Sequence, residues 1–405
     1  MNLYEFQAKE LISRFGVEIP RGRVAASADD AERLARRLAF PRFAIKAQIH
    51  GGGRGAAGGI RFASSPEEAR VVTGQLMSRP LVTSQTRAGG EKVRWVYVEE
   101  AFDVVHEIYA AVTVDRSSGE LMLLVSYQGG EDIEERAALD PSIIMRFPLD
   151  ISKTDTSGDF AGAARAIGLL EPIAGKAAGM FAKMARIAIE LDATLVEVNP
   201  LAVTTDGRLI ALDAKLSVDG NALFRHPALS ALRAQIQIED GDPKELAVDR
   251  HQINYQKMDG TIGVVCNGAG LALATLDMLI DAGGRPANFM DIRTTASSLD
   301  IAYGLGVILD NPQVRVILIN IHGGGMQRCD TVAEGVAVAL RRATGGPSAK
   351  AAAARRQLPL VVRFAGNNAD FARVRLTGAG VAFEEAHDLE DAISRTMAIA
   401  KGSAP

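Results

Sequence analysis

Three oxygen-bearing residues gather in "TLVEVNPLAVTTDGRLIALDAKL": Glu197, Asn199 and Asp213. Glu197 and Asn199 lie two apart in a run with strand character, so they share a face. Asp206-Gly207 is the strongest short-range turn signal in the chain and folds the run into a hairpin. That hairpin returns Asp213 toward the other two. Converging oxygen ligands suit Mg²⁺, which typically takes one or two protein groups alongside substrate phosphates. The phase of the hairpin is a constraint, however. A strict two-residue turn pairs Pro200 with Asp213 and puts Asp213 out of step with Asn199. A metal site therefore needs a longer turn of odd length, or a bulge near Pro200. Without such a site, acids on a strand face are simply solvated.

A second candidate lies upstream. "KAQIHGGGRGAAGG" (46–59) sets six glycines among fourteen residues. Ordering glycine costs more entropy than ordering other residues. The common reason to accept that cost is close approach of backbone N–H groups to phosphate. Lys46 ends a strand just before the glycines and is placed to reach phosphate oxygens. Strand-like "RFAIKAQI" and "GIRFA" flank the segment, no helix follows, and Arg54 precedes glycine instead of a hydroxyl residue. This is not a P-loop, which runs from strand to glycines to helix and ends in Gly-Lys-Ser/Thr. It is a glycine flap between two antiparallel strands. Glu99, at the end of "WVYVEE", offers an acceptor to a ribose or purine amine, and Glu107 opens the next strand.

The elements that must position these groups can be traced along the chain. Tyr4, Ala8, Leu11 and Phe15 recur at helical spacing, and Gly16 stops that helix. Residues 92–115 form two strands joined by an acidic connection, and helical patterning runs from about 161 to 191. The character changes near 240–250, so two domains are expected, 1–242 and 243–405. In the second, "TIGVVC", "VRVILINI" and "LPLVVRF" each lead through a glycine- or asparagine-rich loop into a helix. Apolar strands alternating with helices indicate a doubly wound parallel sheet. Two of those loops, at Asn267 and at Gly323–Gln327, stand where N–H groups of a helix N-terminus favour an anion. Taken singly, their glycines do no more than permit tight turns. The basic, small-residue segment 341–357 reads as a solvated surface insertion.

Bulk properties exclude several classes. The net charge of −4 over 405 residues gives no electrostatic case for nucleic acid or a membrane surface. Cys266 and Cys329 end apolar runs and are expected as buried reduced thiols. The N-terminus carries acids and lacks the apolar core of a signal peptide. No apolar run reaches the roughly 20 residues that span a bilayer. A soluble, cytoplasmic, multidomain protein is expected.

A lysine, a glycine flap, an acceptor strand and a metal-binding hairpin, in that order, resemble an ATP-grasp domain, in which nucleotide sits between two sheet-containing lobes. The resemblance sharpens when "MNLYEFQAKELISRFGV", "KAQIHGGGRGAAGG", "EVNPLAVTTDGRLIALDAKL", "DGNALFRHP", "VCNGAGLALATLDML" and "RCDTVAEGV" are taken together. In order and over essentially the whole chain, they resemble the β subunits of ADP-forming succinate–CoA ligases and of the similar malate–CoA ligases. That resemblance implies an α/β chain, an ATP-grasp domain followed by a flavodoxin-like CoA-ligase domain. It implies ATP binding by Lys46, Gly53, Arg54, Gly55, Glu99, Phe102 and Glu107, and Mg²⁺ binding by Asn199 and Asp213. It implies that Glu197 is the catalytic carboxylate, set against a phosphohistidine that belongs to a partner α subunit in an αβ or α2β2 heteromer. It implies a small carboxylate held by Asn267, Gly325, Met326 and Gln327, with CoA as the thiol. The phosphorylated histidine is therefore not expected in this chain, and His50 and His322 are expected to be structural.

The sequence also departs from that pattern. "NFMDIRTTASS" carries Arg293, Thr294 and Thr295 where the family has a glycine triplet, and "NIHGGGMQRCD" is one residue longer than its counterpart. Ala56 stands where a lysine is common in the flap. Arg293 is thus a candidate for the distal charge of an anionic acid other than succinate, with drift in surface loops as the alternative. Two rival functions remain: a non-catalytic nucleotide-binding regulatory paralogue, and a stand-alone ATP-grasp ligase joining a carboxylate to an amine. The intact set Lys46, Glu197, Asn199 and Asp213 argues against the first, and the CoA-ligase-like second domain against the other.

Overall fold

Two antiparallel sheets organise the first unit of the chain, Met1–Ala231. A computed structural model describes residues 1–86, 89–130, 132–150, 159–240, 247–345 and 358–402. The first sheet has the order β1 (Gly22–Ala25), β4 (Val96–Glu100), β2 (Phe43–Ala47), β3 (Ile60–Ala63). Helices Ala28–Leu38 and Pro66–Met77 pack on it around Phe43, Ile45, Val96 and Val98. Both helices start at a serine whose hydroxyl accepts an N–H of the first turn, Ser27 from Asp30 and Ser65 from Glu68. The second sheet runs β10 (Ala214–Val218), β8 (Ala193–Thr204), β5 (Val104–Val114), β6 (Leu121–Ser126), β7 (Met145–Leu149), with β9 (Leu209–Ala211) also on β8. The acidic connection between β4 and β5 thus carries the chain from one sheet to the other.

Helix α1 (Glu5–Arg14) ties the two sheets together. Its leading residues join the second sheet, Leu3 N donating to Leu216 O and Val218 N to Met1 O. Its inward stripe includes Glu5, Lys9 and Ile12, at i, i+4 and i+7, so two charged residues share the buried face. The helical stretch expected over 161–191 is two helices, Phe160–Ala166 and Ile173–Glu190. Gly168 adopts φ +87 between them, and Pro172 caps the second.

The second unit, Leu232–Pro405, carries one six-stranded sheet. Its order is β11 (Ile253–Lys257), β13 (Asn288–Ile292), β12 (Ile262–Asn267), β14 (Val316–Gly323), β15 (Leu360–Gly366), β16 (Glu384–Glu385). All neighbours are parallel except β11 and β13. Helices Ala269–Asp281 and Leu389–Gly402 cover one face, and Ser298–Leu309, Cys329–Gly345 and Ala369–Gly378 the other. This is the expected doubly wound arrangement, with an antiparallel edge that the polar run "INYQK" gave no reason to expect. Helix Cys329–Gly345 takes up the first residues of the expected 341–357 insertion, and 346–357 lie outside the described residues. Cys266 and Cys329 are buried free thiols. Among the described residues, no helix is long and apolar enough to cross a membrane.

Candidate active site

The hairpin of β8 resolves the question of phase. Thr204 N donates to Arg208 O across a loop of Thr205, Asp206 and Gly207, with Gly207 at φ +75. This turn of odd length puts Leu201 opposite Ala211 and Val198 opposite Ala214, so Asn199 and Asp213 fall opposite each other. Val196 and Val198 point into the core, while Glu197 and Asn199 face a cleft of about 830 Å³ inside the first unit. Lys46, Gly53, Arg54, Gly55, Glu99, Phe102, Glu107, Asn199 and Asp213 all line the same cleft. The glycine flap spans β2 and β3, which pair antiparallel from Phe43–Ala63 to Lys46–Ile60. Gly53 sits at φ +69, a backbone angle that other residues resist. Arg208 stacks its guanidinium 5.2 Å from the ring centre of Phe102.

At the root of the flap, six charged side chains form one network, five of them buried and Asp213 half-buried. Lys46 Nζ lies 2.8 Å from Glu99 Oε1 and 3.1 Å from Glu5 Oε1, and donates to Leu212 O. Arg54 bridges Glu5 Oε2 at 2.7 Å and Asp213 Oδ2 at 2.6 Å. Lys9 closes the circuit from α1, 2.8 Å from Glu5 Oε1 and 2.6 Å from Glu99 Oε2. Three acids balance three bases, which is how buried charge becomes tolerable. Burial pushes the Glu5 carboxyl up, but Arg54, Lys46 and Lys9 together hold it well below the usual range. Glu197 moves the other way: burial, with Glu134 and Asp213 nearby, raises it to about 7 despite Lys215.

Asn199 and Asp213 form an oxygen donor pair of the kind a hard divalent ion takes. Both are engaged within the protein. Asn199 exchanges two hydrogen bonds with the backbone of Gly130, at 2.8 and 3.0 Å, and Asp213 holds Arg54. Among the described residues no group of three or more His, Cys, Asp or Glu is arranged to hold a metal.

In the second unit, Asn267 and the 322–327 loop come together at the carboxyl ends of β12 and β14. Asn267 Nδ2 donates to His322 O at 2.8 Å, and its Oδ1 accepts from His322 N at 2.9 Å. Gly325 and Met326 are exposed, whereas Gln327 is buried and its Nε2 has no hydrogen-bond partner. The anion position at the start of helix Ala269–Asp281 is filled from within, since Gly268 N donates to Asp291 Oδ1 at 2.6 Å. Asp291 also accepts from Asn254, which accepts from Arg293 Nε at 2.9 Å. Arg293 in turn reaches Asp249 at 2.5 Å. The unusual "DIRTTASS" segment is thus strapped to residues 249–254 and is not a free loop.

Comparison with known proteins agrees with both units. Family models for an ATP-grasp domain and a CoA-ligase match residues 2–203 and 265–397. The chain is 39% identical to the succinate–CoA ligase [ADP-forming] subunit β of Bordetella pertussis, over 99% of this chain and all of that one. It belongs to that family. The Paraburkholderia xenovorans protein of the same name is 38% identical over the full length of both. The fold is also that of the ATP citrate lyase from Methanothrix soehngenii, solved with citrate and coenzyme A, at TM-score 0.73, 15% identity and 98% coverage of this chain (99% of the other). The chain is accordingly a subunit of an acid–thiol ligase, with ATP and CoA as co-substrates. Glu5 and Lys9 are the members of the charged network that the sequence alone does not single out. Their spacing with Ala8 and Ile12 on one helix face was the available signal, but charges on a helix ordinarily mark its wet side.

Proposed function

We propose that this chain is the nucleotide-handling subunit of an ADP-forming ligase that joins a small dicarboxylate, succinate or a close relative, to CoA. One observation carries the proposal: a single cleft places Lys46 and Arg54 beside Glu197, Asn199 and Asp213. Lys46, the flap glycines and Arg54 would receive the phosphates of ATP, with Glu99, Phe102 and Glu107 along the same wall. Asn199 and Asp213 would hold Mg²⁺, which when bound offsets charge on the transferring phosphoryl group. A histidine of a partner α subunit takes the γ-phosphoryl, releasing ADP, with Glu197 set against that histidine. A carboxylate oxygen of the acid then takes the phosphoryl group to give an acyl phosphate. The CoA thiolate attacks its carbonyl carbon, the C–O bond breaks, and phosphate leaves. The two domains expected from the sequence, 1–242 and 243–405, would divide this labour between nucleotide and acyl chemistry, in the cytoplasm and within an αβ or α2β2 heteromer.

In the second unit, Gln327 supports a carboxylate site, because its buried Nε2 is a donor left for an acceptor that a ligand can supply. Asn267, Gly325 and Met326 surround it in this proposal. Arg293, whose Nε and Nη2 hold Asn254 and Asp249, would meet the substrate's distal charge in this proposal. Co-expression with the genomic neighbour, followed by ADP release across a panel of acids with CoA, tests the function. CoA-dependent turnover of succinate or malate is expected. CoA-independent turnover would instead mark a carboxylate–amine ligase, and no turnover with any acid a regulatory paralogue. A shift in acid preference on Arg293→Ala would assign that residue to the substrate.

A further inference from the structure

We propose that Glu5 is the resident anion of the nucleotide cleft, a carboxylate that holds Lys46 and Arg54 until phosphate oxygens replace it. The inference rests on the assignment of this cleft to ATP. Its first ground is saturation. Glu5 Oε1 takes Lys9 and Lys46, and Oε2 takes Arg54 and Gln48 Nε2 at 3.1 Å. A carboxylate has about four acceptor positions, and all are filled. Its second ground is placement. Glu5 lines the cleft, whereas Lys9 is wholly buried behind it and is not part of the lining. Lys9 therefore anchors Glu5 from the protein side, while Lys46 and Arg54 meet it from the ligand side.

The third ground is charge balance. Glu5, Glu99 and Asp213 neutralise Lys9, Lys46 and Arg54 before any ligand arrives, so no surplus positive charge waits for a phosphate. A polyanion entering such a site must displace an acid already there. Glu99 is placed differently: it pairs with Lys9 and Lys46, so its giving way to phosphate would free Lys46 but not Arg54, which Glu5 and Asp213 hold. Asp213 faces the position proposed for the metal. Glu5 alone can surrender two cations and keep a third, because Lys9 lies four residues along the same helix. Glu5 is thus a positioning residue: it holds Lys46 and Arg54 at the cleft wall and sets how tightly phosphate must bind to take them.

The test is calorimetric titration of the full-length chain with Mg-ATP and, separately, with adenosine. Glu5→Gln keeps the shape and removes the competing charge, so Mg-ATP should bind about tenfold more tightly, as relief of like-charge opposition allows. Adenosine carries no phosphate, and its affinity should not change. Glu5→Asp withdraws the carboxylate toward α1 and should give a smaller tightening in the same direction. It also keeps the charge balance, which covers the case in which Glu5→Gln fails to fold. Unchanged or weaker Mg-ATP binding in a folded variant overturns the proposal, as does an equal change for ATP and adenosine. Failure of the wild-type chain to bind Mg-ATP is a different result, and it would remove the nucleotide assignment itself.

Discussion

The two candidate sites of this chain hold their polar groups by opposite means. In the first unit, full charges are taken out of water and closed into a network, with Lys9 wholly buried and Glu5 and Glu99 nearly so. In the second, Asn267 is held by neutral hydrogen bonds to the backbone of His322, and the ion pair of Arg293 with Asp249 is partly wet. Burial decides what each arrangement can withstand. Removing one partner of a buried ion network strands another charge in a poor solvent, whereas an exposed pair loses little because water takes its place. The nucleotide cleft is therefore rigid in its chemistry. The loops around Asn267 and Arg293 are a place where residues can change at modest cost.

The sharpest way to break the comparison is Lys9→Met. It leaves Glu5 and Glu99 with an unbalanced negative charge and should destabilise the first unit by about 3–5 kcal/mol. Trp95 is the chain's single tryptophan and belongs to that unit, so urea unfolding followed by its fluorescence reads the loss directly. A change below about 1 kcal/mol, the range of exposed pairs, would mean that the cluster is solvated and that the contrast with Asp249 and Arg293 is empty.

Asn267→Ala is the matching probe in the second unit. Two hydrogen bonds to the His322 backbone are lost, each contributing about 0.5–1.5 kcal/mol net. The loop that carries Gln327 should loosen, and KM for the acid should rise about tenfold if that energy appears in binding. The Kd for Mg-ATP should not move. A parallel rise in both constants would show that the two sites are energetically coupled.

What the sequence made legible follows the same division. The flap could be told from a P-loop because strand, glycine and strand succeed one another with no helix, and β2 and β3 do pair on either side of it. The hairpin could be narrowed to an odd turn or a bulge because side chains alternate, and the odd turn is present. Glu5 and Lys9 escaped because an acid and a base four apart on a helix ordinarily form a surface pair. Only their partners Lys46, Arg54 and Glu99, distant in sequence, turn that pair inward. Arg293 was visible as an oddity, but its clamp was not, since Asp249 and Asn254 precede the first parallel strand and join through the unexpected edge strand β11. Long-range electrostatic partners are what local pattern does not encode.

The smallest effect separates burial from charge within one unit. Asp192 makes the same kind of contacts as Glu5, to Arg225 Nε at 2.7 Å and His226 Nε2 at 2.6 Å, but near the surface. Hydrogen bonds from Arg225 and His226 lower its carboxyl to about 2. A carboxyl depressed in the folded state contributes stability above its unfolded value, near 4, and loses that contribution as pH falls toward 2. Asp192→Asn should therefore flatten the acid limb of the stability curve between about pH 4 and 2 and leave pH 7 stability lower by less than about 1 kcal/mol. Urea midpoints across that range check it. If instead Asp192→Asn cost as much at pH 7 as Lys9→Met, the number of bonds to a carboxylate, and not its removal from water, would be what makes the nucleotide cleft hard to alter.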